Sequence, residues 1–347
     1  MQRALQNAFY AALWGSGLDI LLRPLMGGVG SILVFHRLVV EPPTGSFGPS
    51  RSLSITADGF RELIAYLRKS RIEIVSLDEV LRRLQSGVTG RRFTCLTFDD
   101  GYRDNYELLY PICKDLEVPF TVYVTTDLIE GRMLLWWYGL EAAVARTDGV
   151  AWRENGETQH FSAKTPDEKA RTYRALDVKL RHASAERRAG MIAALETEYG
   201  VDFKAESNAA AMSWEMVHEL AKSELAEIGG HTVSHPALNT LSADEARREI
   251  TEGCRIVEGH TKQKIRHFAY PFGRPSDVSE REHALCRELG FATATTTRAG
   301  TLEAEHKNTP HDLPRISVSC ETTPQRLRVD LSGVPAKVRT TLGSLLG

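Results

Sequence analysis

Apolar residues arrive along this chain in short dense runs separated by amphipathic stretches. Ser31-Ile32-Leu33-Val34-Phe35-His36 reads as a buried strand, because a short apolar run rich in β-branched and aromatic residues suits a strand covered on both faces. A polar loop containing Pro and Gly follows to about Ser50. Thr56 then opens a helix in which Phe60, Leu63, Ile64 and Leu67 recur at helical spacing. Ile72 to Val75 is a short strand, and Ser76-Leu77-Asp78-Glu79 has the form of a capping box opening a helix through Leu84. Phe93-Thr94-Cys95-Leu96-Thr97-Phe98 is the next buried strand, Asn105 to Leu116 the next helix and Pro119 to Val124 the strand after it. Such alternation predicts an α/β fold with a parallel sheet and crossover helices.

Between Gly131 and Ala210 the pattern changes. Trp136-Trp137 begins an apolar helix, a polar stretch from Arg153 to Ser162 reads as a hairpin or loop, and two charged helical segments follow, Pro166 to His182 and Ala185 to Tyr199. The expectation is a helical insertion over 131–210. The alternation then resumes, with Ala226 to Gly230 leading into His231, a helix from Asp244 to His260, and a strand from Arg266 to Tyr270. A helix from Ser279 to Gly290 and a strand from Phe291 to Thr297 come next. The last strand, Leu313 to Val318, carries Pro314, which places it at an edge or a strand start. The tail, 323–347, reads as a helix broken by Gly333 and Pro335. The first segment, 1–29, is apolar but interrupted by Asp19 and Arg23, with no run long enough to span a bilayer. It reads as an amphipathic helix that packs on the domain or lies on a membrane surface, rather than as a cleaved signal.

A chain of 347 residues can bury a large core. A net charge of -2 removes any global electrostatic case for nucleic acid as a partner. Five cysteines without a Cys-x-x-Cys pair argue against a disulfide framework or a thiolate zinc site, and Cys95 reads as a small core residue.

Candidate chemistry concentrates in two places. Thr97-Phe98-Asp99-Asp100-Gly101-Tyr102 ends an apolar strand in two adjacent carboxylates. Buried carboxylates cost free energy unless paired or metal-bound, and strand ends of α/β folds are where chemistry is usually placed. One of the two can bind a metal while the other moves a proton. His231-Thr232-Val233-Ser234-His235-Pro236 supplies two imidazoles four residues apart. Pro236 and the preceding Gly229-Gly230 argue for a loop or a single turn. Two histidines and one carboxylate form a common catalytic ligand set that leaves positions open for water and substrate. Each motif alone is weak; both follow strands of one alternation, whose C-terminal ends converge on one face.

These two motifs, with Phe268-Ala269-Tyr270-Pro271-Phe272-Gly273, resemble the three main motifs of the polysaccharide deacetylase family in the family's order. Ile32-Leu33-Val34-Phe35-His36-Arg37 and Leu313-Pro314-Arg315-Ile316 resemble one branch of it. The resemblance implies a distorted (β/α) barrel with fewer than eight regular repeats over 30–322. It implies a hydrolase that removes acetyl groups from an N-acetylated saccharide or polysaccharide precursor. Asp100, His231 and His235 would then hold one divalent metal ion, expected to be zinc, whose bound water is the nucleophile. Asp99 would be the general base, and the backbone N–H of Tyr102 would help hold the oxyanion. The expected substrate-binding set is Tyr102, Tyr270, Pro271, Phe272, Gly273, His36 and Trp137. For Trp136 and Trp137 the alternative is packing of the insertion on the barrel, and His260 and His267 read as incidental.

Two departures stand out. Ala269 occupies a position where many members carry an arginine that orients the base; Arg315 is the expected substitute. No late Leu-x-His motif is present; His36 and His311 are candidates, and the proton donor to the leaving amine is left unassigned. Rival readings are hydrolysis of a non-sugar amide or cyclic imide, and a non-catalytic glycan-binding protein. The expected setting is cytoplasmic or associated with an inner membrane through the N-terminal segment.

Overall fold

The computed structural model describes residues 2–42, 47–87, 90–154 and 157–346. Among them are strands β1 (Gly30–Phe35), β2 (Arg37–Val39), β3 (Ser54–Thr56), β4 (Glu73–Ile74), β5 (Phe93–Phe98) and β6 (Phe120–Val124). The second half adds β7 (Gly149–Glu154), β8 (Glu157–Ser162), β9 (Ala226–Gly230), β10 (His267–Ala269), β11 (Thr293–Ala299) and β12 (Leu313–Ser317). Seven of these close into a parallel ring in chain order: β1, β5, β6, β9, β10, β11, β12 and back to β1. β4 adds to the outside of β5, β2 pairs with β3, and β7 and β8 form an antiparallel hairpin inside the insertion. The barrel therefore has fewer than eight repeats. β12 has a neighbour on each side, so Pro314 sits at a strand start rather than at an edge, beside a shift in the β11–β12 register.

Strand residues alternate between two apolar layers, as the two-residue period of a strand requires. Ile32, Cys95, Tyr123, Ala269 and Leu313 fill the inner layer. Leu33, Leu96, Val122 and Phe268 face the surrounding helices. The helix Leu77–Ser86 joins the inner layer through Leu77, Val80 and Leu84 and closes the mouth where the strands begin. Its first N–H groups donate to Glu227 on β9, and its Asp78 meets His267 on β10. His267 is thus a structural group with both ring nitrogens bonded, the second to Thr293 Oγ1. Ser76 caps this helix, but Glu79 turns to Arg82 and Arg83, so the capping box is half formed.

The stretch expected as one helix, Asn105 to Leu116, begins as a π-turn (Asn105–Leu109) and continues as an α-helix (Tyr110–Leu116). Pro111 accounts for this, because its ring would clash with the carbonyl four residues back in a regular α-helix. The insertion builds its own core, in which Trp136, Trp137, Leu140, Leu176, Leu180 and Phe203 meet.

The N-terminal segment forms two helices, Gln2–Ser16 and Leu18–Met26, parted at Gly17, whose φ is 73°. Asp19 does not merely interrupt the apolar pattern. It is buried and takes two N–H bonds from Arg328, docking the segment on the C-terminal helices beside Leu13, Val329 and Val334. The tail breaks at Gly333, where φ is 75° and a Cβ would lie 1.8 Å from the Met26 carbonyl oxygen.

One close approach links the fold to the site. Gly253, in the helix Ala243–Thr261, packs so tightly on the loop after β9 that an added Cβ would lie 2.7 Å from the Thr232 carbonyl carbon. Gly→Ala in an open helix stabilises by about 1 kcal/mol. Here Gly253→Ala is expected to destabilise by roughly 1–3 kcal/mol through overpacking. Denaturant unfolding measures it, and an unchanged or raised midpoint would contradict this packing.

Candidate metal centre and base

β5 delivers two adjacent carboxylates, and the turn after it separates them. Asp99 still follows the ladder, its N–H donating to the Phe35 oxygen at 3.0 Å. Asp100 then takes a left-handed φ of 79° and Gly101 one of 90°, so the two side chains part. Asp99 turns to Arg315; Asp100 turns to the histidines.

β9 ends in Gly229-Gly230 and places His231 at the ring's C-terminal face, where its N–H donates to Val124. Its Nδ1 lies 2.7 Å from the Ala269 carbonyl oxygen. A carbonyl only accepts, so Nδ1 carries the proton and Nε2 keeps its lone pair. The chain then doubles back with Thr232 at φ 67° and His235 at φ 57°. Thr232 Oγ1 accepts the His235 N–H, and Glu249 accepts from Val233 N, Ser234 N and Ser234 Oγ. His-x-x-x-His is therefore a loop, held from beneath by one carboxylate. Four of the seven non-glycine residues with positive φ among the described residues are Asp100, Thr232, His235 and Phe272. Strain gathered at one place in this way is a feature of functional sites.

The donor atoms meet the demands of a cation. Nε2 of His231 and Nε2 of His235 each lie 3.3 Å from Asp100 Oδ1. All three side chains are buried, and their ligand atoms lie within 4.8 Å of one another. Asp100 Oδ1 has no hydrogen-bond partner despite those two neighbours, because the contacts are not aligned as hydrogen bonds. Ligands about 2.0–2.1 Å from a tetrahedral ion stand about 3.3–3.4 Å apart, so the spacing fits zinc. An orphaned buried oxygen facing two imidazole nitrogens is what a metal would satisfy.

Asp99 is held differently. Arg315 reaches inward from β12 and donates Nη1–H to Asp99 Oδ1 and Nη2–H to Oδ2, both at 2.7 Å. Its Nε–H goes to the Thr296 oxygen, and Nη1 also meets Thr97 Oγ1. Burial pushes the Asp99 carboxyl up, but the charge and hydrogen bonds of Arg315 outweigh it and hold the group below the usual value. Arg315 is thus fully buried in the barrel interior, its guanidinium 5.8 Å from the Tyr123 ring. For Asp100, burial raises and the two imidazoles lower, with the net well below the ordinary range.

Of the two proton-donor candidates, His36 lies in the field of Asp100, Asp99, Arg315 and His231. Burial lowers its value, partly opposed by the two carboxylates. His311 is turned away, its Nε2 on the Phe291 oxygen.

Aromatic groups cover the candidate metal ligands. The Phe272 ring is 4.7 Å and the Trp137 ring 5.3 Å from the His235 ring. Trp137 Nε1 donates to the Tyr102 hydroxyl, and Trp136 is buried in the insertion core. Tyr102 pairs with Ala211 through flanking bonds from Arg103 N and Met212 N, which turns its own N–H away from that partner. Tyr270 does not belong to this group. It follows Phe268 into the outer layer, fully buried, and its hydroxyl donates to the His311 oxygen. Pro271 and Gly273 shape the turn that presents Phe272; Gly273 has φ 63° and packs on Thr297. Sequence reasoning missed Glu249, Asp104 and Asn105. Glu249 sits between Ala246 and Gly253 on the buried stripe of its helix, a carboxylate where the pattern calls for an apolar residue. Asn105 donates to the His36 oxygen and to Asp104, which also takes Leu38 N and Arg37.

A family model described as polysaccharide deacetylase matches residues 86–155 and 195–294. The matched segments contain Asp99, Asp100, His231 and His235 and leave out His36, Arg315 and residues 156–194 of the insertion. Among solved structures, the fold is similar to Streptococcus pyogenes deacetylase PplD in complex with acetate, at 19% identity over 86% of this chain and 95% of that chain, with a TM-score of 0.57. A de-N-acetylase from Aggregatibacter actinomycetemcomitans matches at 13% identity over 87% of this chain and 99% of that one, TM-score 0.56. IcaB from Ammonifex degensii matches at 18% identity over 87% and 97%, TM-score 0.54. No curated protein sequence matches the chain.

Two outcomes follow from the geometry. Asp100→Ala is expected to lose stoichiometric zinc while Asp99→Asn keeps it, as read by metal analysis after dialysis. Loss in both, or in neither, would contradict the division between the two carboxylates. Because the folded-state value of Asp99 lies below the unfolded one, its pair with Arg315 stabilises the fold fully above the ordinary value of 3.8. That contribution disappears as pH falls below 3.8, and unfolding midpoints of wild type and Arg315→Met should converge there.

Proposed function

Because the chain belongs to the polysaccharide deacetylase family, hydrolases that cleave the C–N amide bonds of acetylated sugars, we propose that it is a zinc-dependent deacetylase of an N-acetylated saccharide or polysaccharide precursor. The observation that carries this reading is the ionised Asp99, clamped by Arg315 beside three inward lone pairs of Asp100, His231 and His235. The metal, when bound, polarises the acetyl carbonyl and makes a water nucleophilic.

Asp99 then takes the proton of the attacking water. Arg315 occupies one lone pair of each carboxylate oxygen and leaves another on each for that transfer. The Tyr102 N–H, turned away from Ala211, donates to the developing oxyanion. A ring nitrogen of His36, in the field of both carboxylates, delivers a proton to the leaving amine. Phe272 and Trp137 exclude water and offer apolar faces to a sugar ring.

The N-terminal helices support a membrane-surface setting for this activity. Seven of the nine exposed large hydrophobic residues among the described residues lie between Leu5 and Leu25. No helix among them is long and apolar enough to cross a membrane. An apolar face on a short helix pair suits the interface plane.

The test is acetate release from a panel of acetylated saccharides with and without zinc, with cyclic imides as the contrasting substrate class. Asp99→Asn is expected to reduce turnover by roughly 10²–10⁴-fold, and full activity in that variant would overturn the role of Asp99. Removing the Arg315 charge leaves burial unopposed, so Arg315→Met should move the acid limb of kcat/KM upward in pH. Arg315→Lys should restore part of the shift; an acid limb unmoved in both variants would contradict the clamp.

A further inference from the structure

A large cavity lies away from the candidate metal centre. It has a volume of about 1040 Å³ and lies where the first helix meets the segment after β2, the first turns of the helix Pro166–Arg181 and the C-terminal helices. Five arginines line it, Arg51, Arg171, Arg174, Arg326 and Arg339, against two carboxylates, Asp167 and Glu321. Glu321 is already paired with Arg51. Among the described residues, Arg171 and Arg174 have no ion-pair partner within 4.0 Å, Arg326 lies over the Tyr10 ring at 5.0 Å, and Arg326 and Arg339 share the field of Asp330. Five guanidinium groups facing a cavity lined by two carboxylates favour a multivalent oxyanion, because each planar fork matches two phosphate oxygens.

The position of the cavity says where that anion comes from. Phe9 lines it and also belongs to the exposed apolar face of the N-terminal helices. Trp14, exposed as well, lines a neighbouring cavity of about 250 Å³ together with Arg326. Apolar and aromatic groups side by side with arginines match the order of a lipid surface, acyl boundary next to phosphate. We infer that this cavity receives the phosphate headgroups of an anionic lipid surface on which the N-terminal helices lie. The inference rests on the membrane-surface reading of those helices and adds to it a headgroup site that selects the lipid.

Vesicle co-sedimentation of the full chain tests it, using phosphatidylcholine alone and an equimolar mixture with phosphatidylglycerol. The expected result is binding to the mixed vesicles that falls about tenfold or more in the Arg171→Glu/Arg174→Glu variant and weakens in high salt. Both arginines are exposed and outside the catalytic machinery, so acetate release from a soluble saccharide should be unchanged in that variant. Leu21→Glu/Leu25→Glu should reduce binding to both vesicle types. Equal binding to both vesicles, untouched by the arginine variant, would leave the apolar face as the whole anchor and overturn the headgroup site. If inorganic phosphate binds the free protein in calorimetry through these arginines while vesicle binding ignores them, the source is soluble phosphate and the inference also fails. A dimer in sedimentation without vesicle binding, abolished by Leu21→Glu/Leu25→Glu, would assign the apolar face to a second copy and overturn both readings.

Discussion

A guanidinium and a carboxylate buried inside a barrel each lose hydration worth several kcal/mol, and their attraction compensates only when nearly every donor and acceptor is met. Arg315 and Asp99 come close to that condition, with two aligned bonds between them and further bonds to the Thr296 oxygen and Thr97 Oγ1. β12, β1 and β5 are consecutive in the ring, so this pair bridges the seam where the last strand closes on the first. Barrel closure and the ionisation of Asp99 are therefore one interaction. The face of Tyr123 lies 5.8 Å from the guanidinium.

Among the described residues, two three-residue clusters of carboxylate and imidazole could hold a metal ion, and their hydrogen bonding tells them apart. At the mouth where the strands begin, Asp78, Glu227 and His267 are satisfied by Leu77 N, Asp78 N, Thr121 Oγ1, Thr293 Oγ1 and each other. That cluster is a structural lock between a helix and two strands. At the opposite face, Asp100 Oδ1 remains without a hydrogen bond, and the loop that presents the histidines is held in left-handed conformations by Thr232 Oγ1 and Glu249. Holding a strained loop so that lone pairs converge has no stabilising purpose without a cation.

The order of strands and the barrel were legible because the apolar runs are short, and their alternation with helical patterns admits few topologies. The two carboxylates and the His-x-x-x-His pair were legible because they end such runs. What sequence reading could not supply depends on which face of a strand a residue occupies. Tyr270 looked like a sugar platform from its motif, yet just past the end of β10 it packs outward against Phe268. Asp19 looked like an interruption, although a partner 309 positions away, Arg328, makes it an anchor. Pairings at that separation leave no local trace; the Arg315–Asp99 pair was expected only because Ala269 stands where the resembling motif carries an arginine. Glu249 left one: a charged residue on the apolar stripe of its helix.

The most direct test of the account is anomalous diffraction at the zinc edge from crystals grown with zinc. The account predicts one strong peak bounded by Asp100 Oδ1, His231 Nε2 and His235 Nε2 at about 2.0–2.2 Å, with the Asp99–Arg315 pair intact beside it. A peak between Asp78, Glu227 and His267, or none at either place, would contradict it.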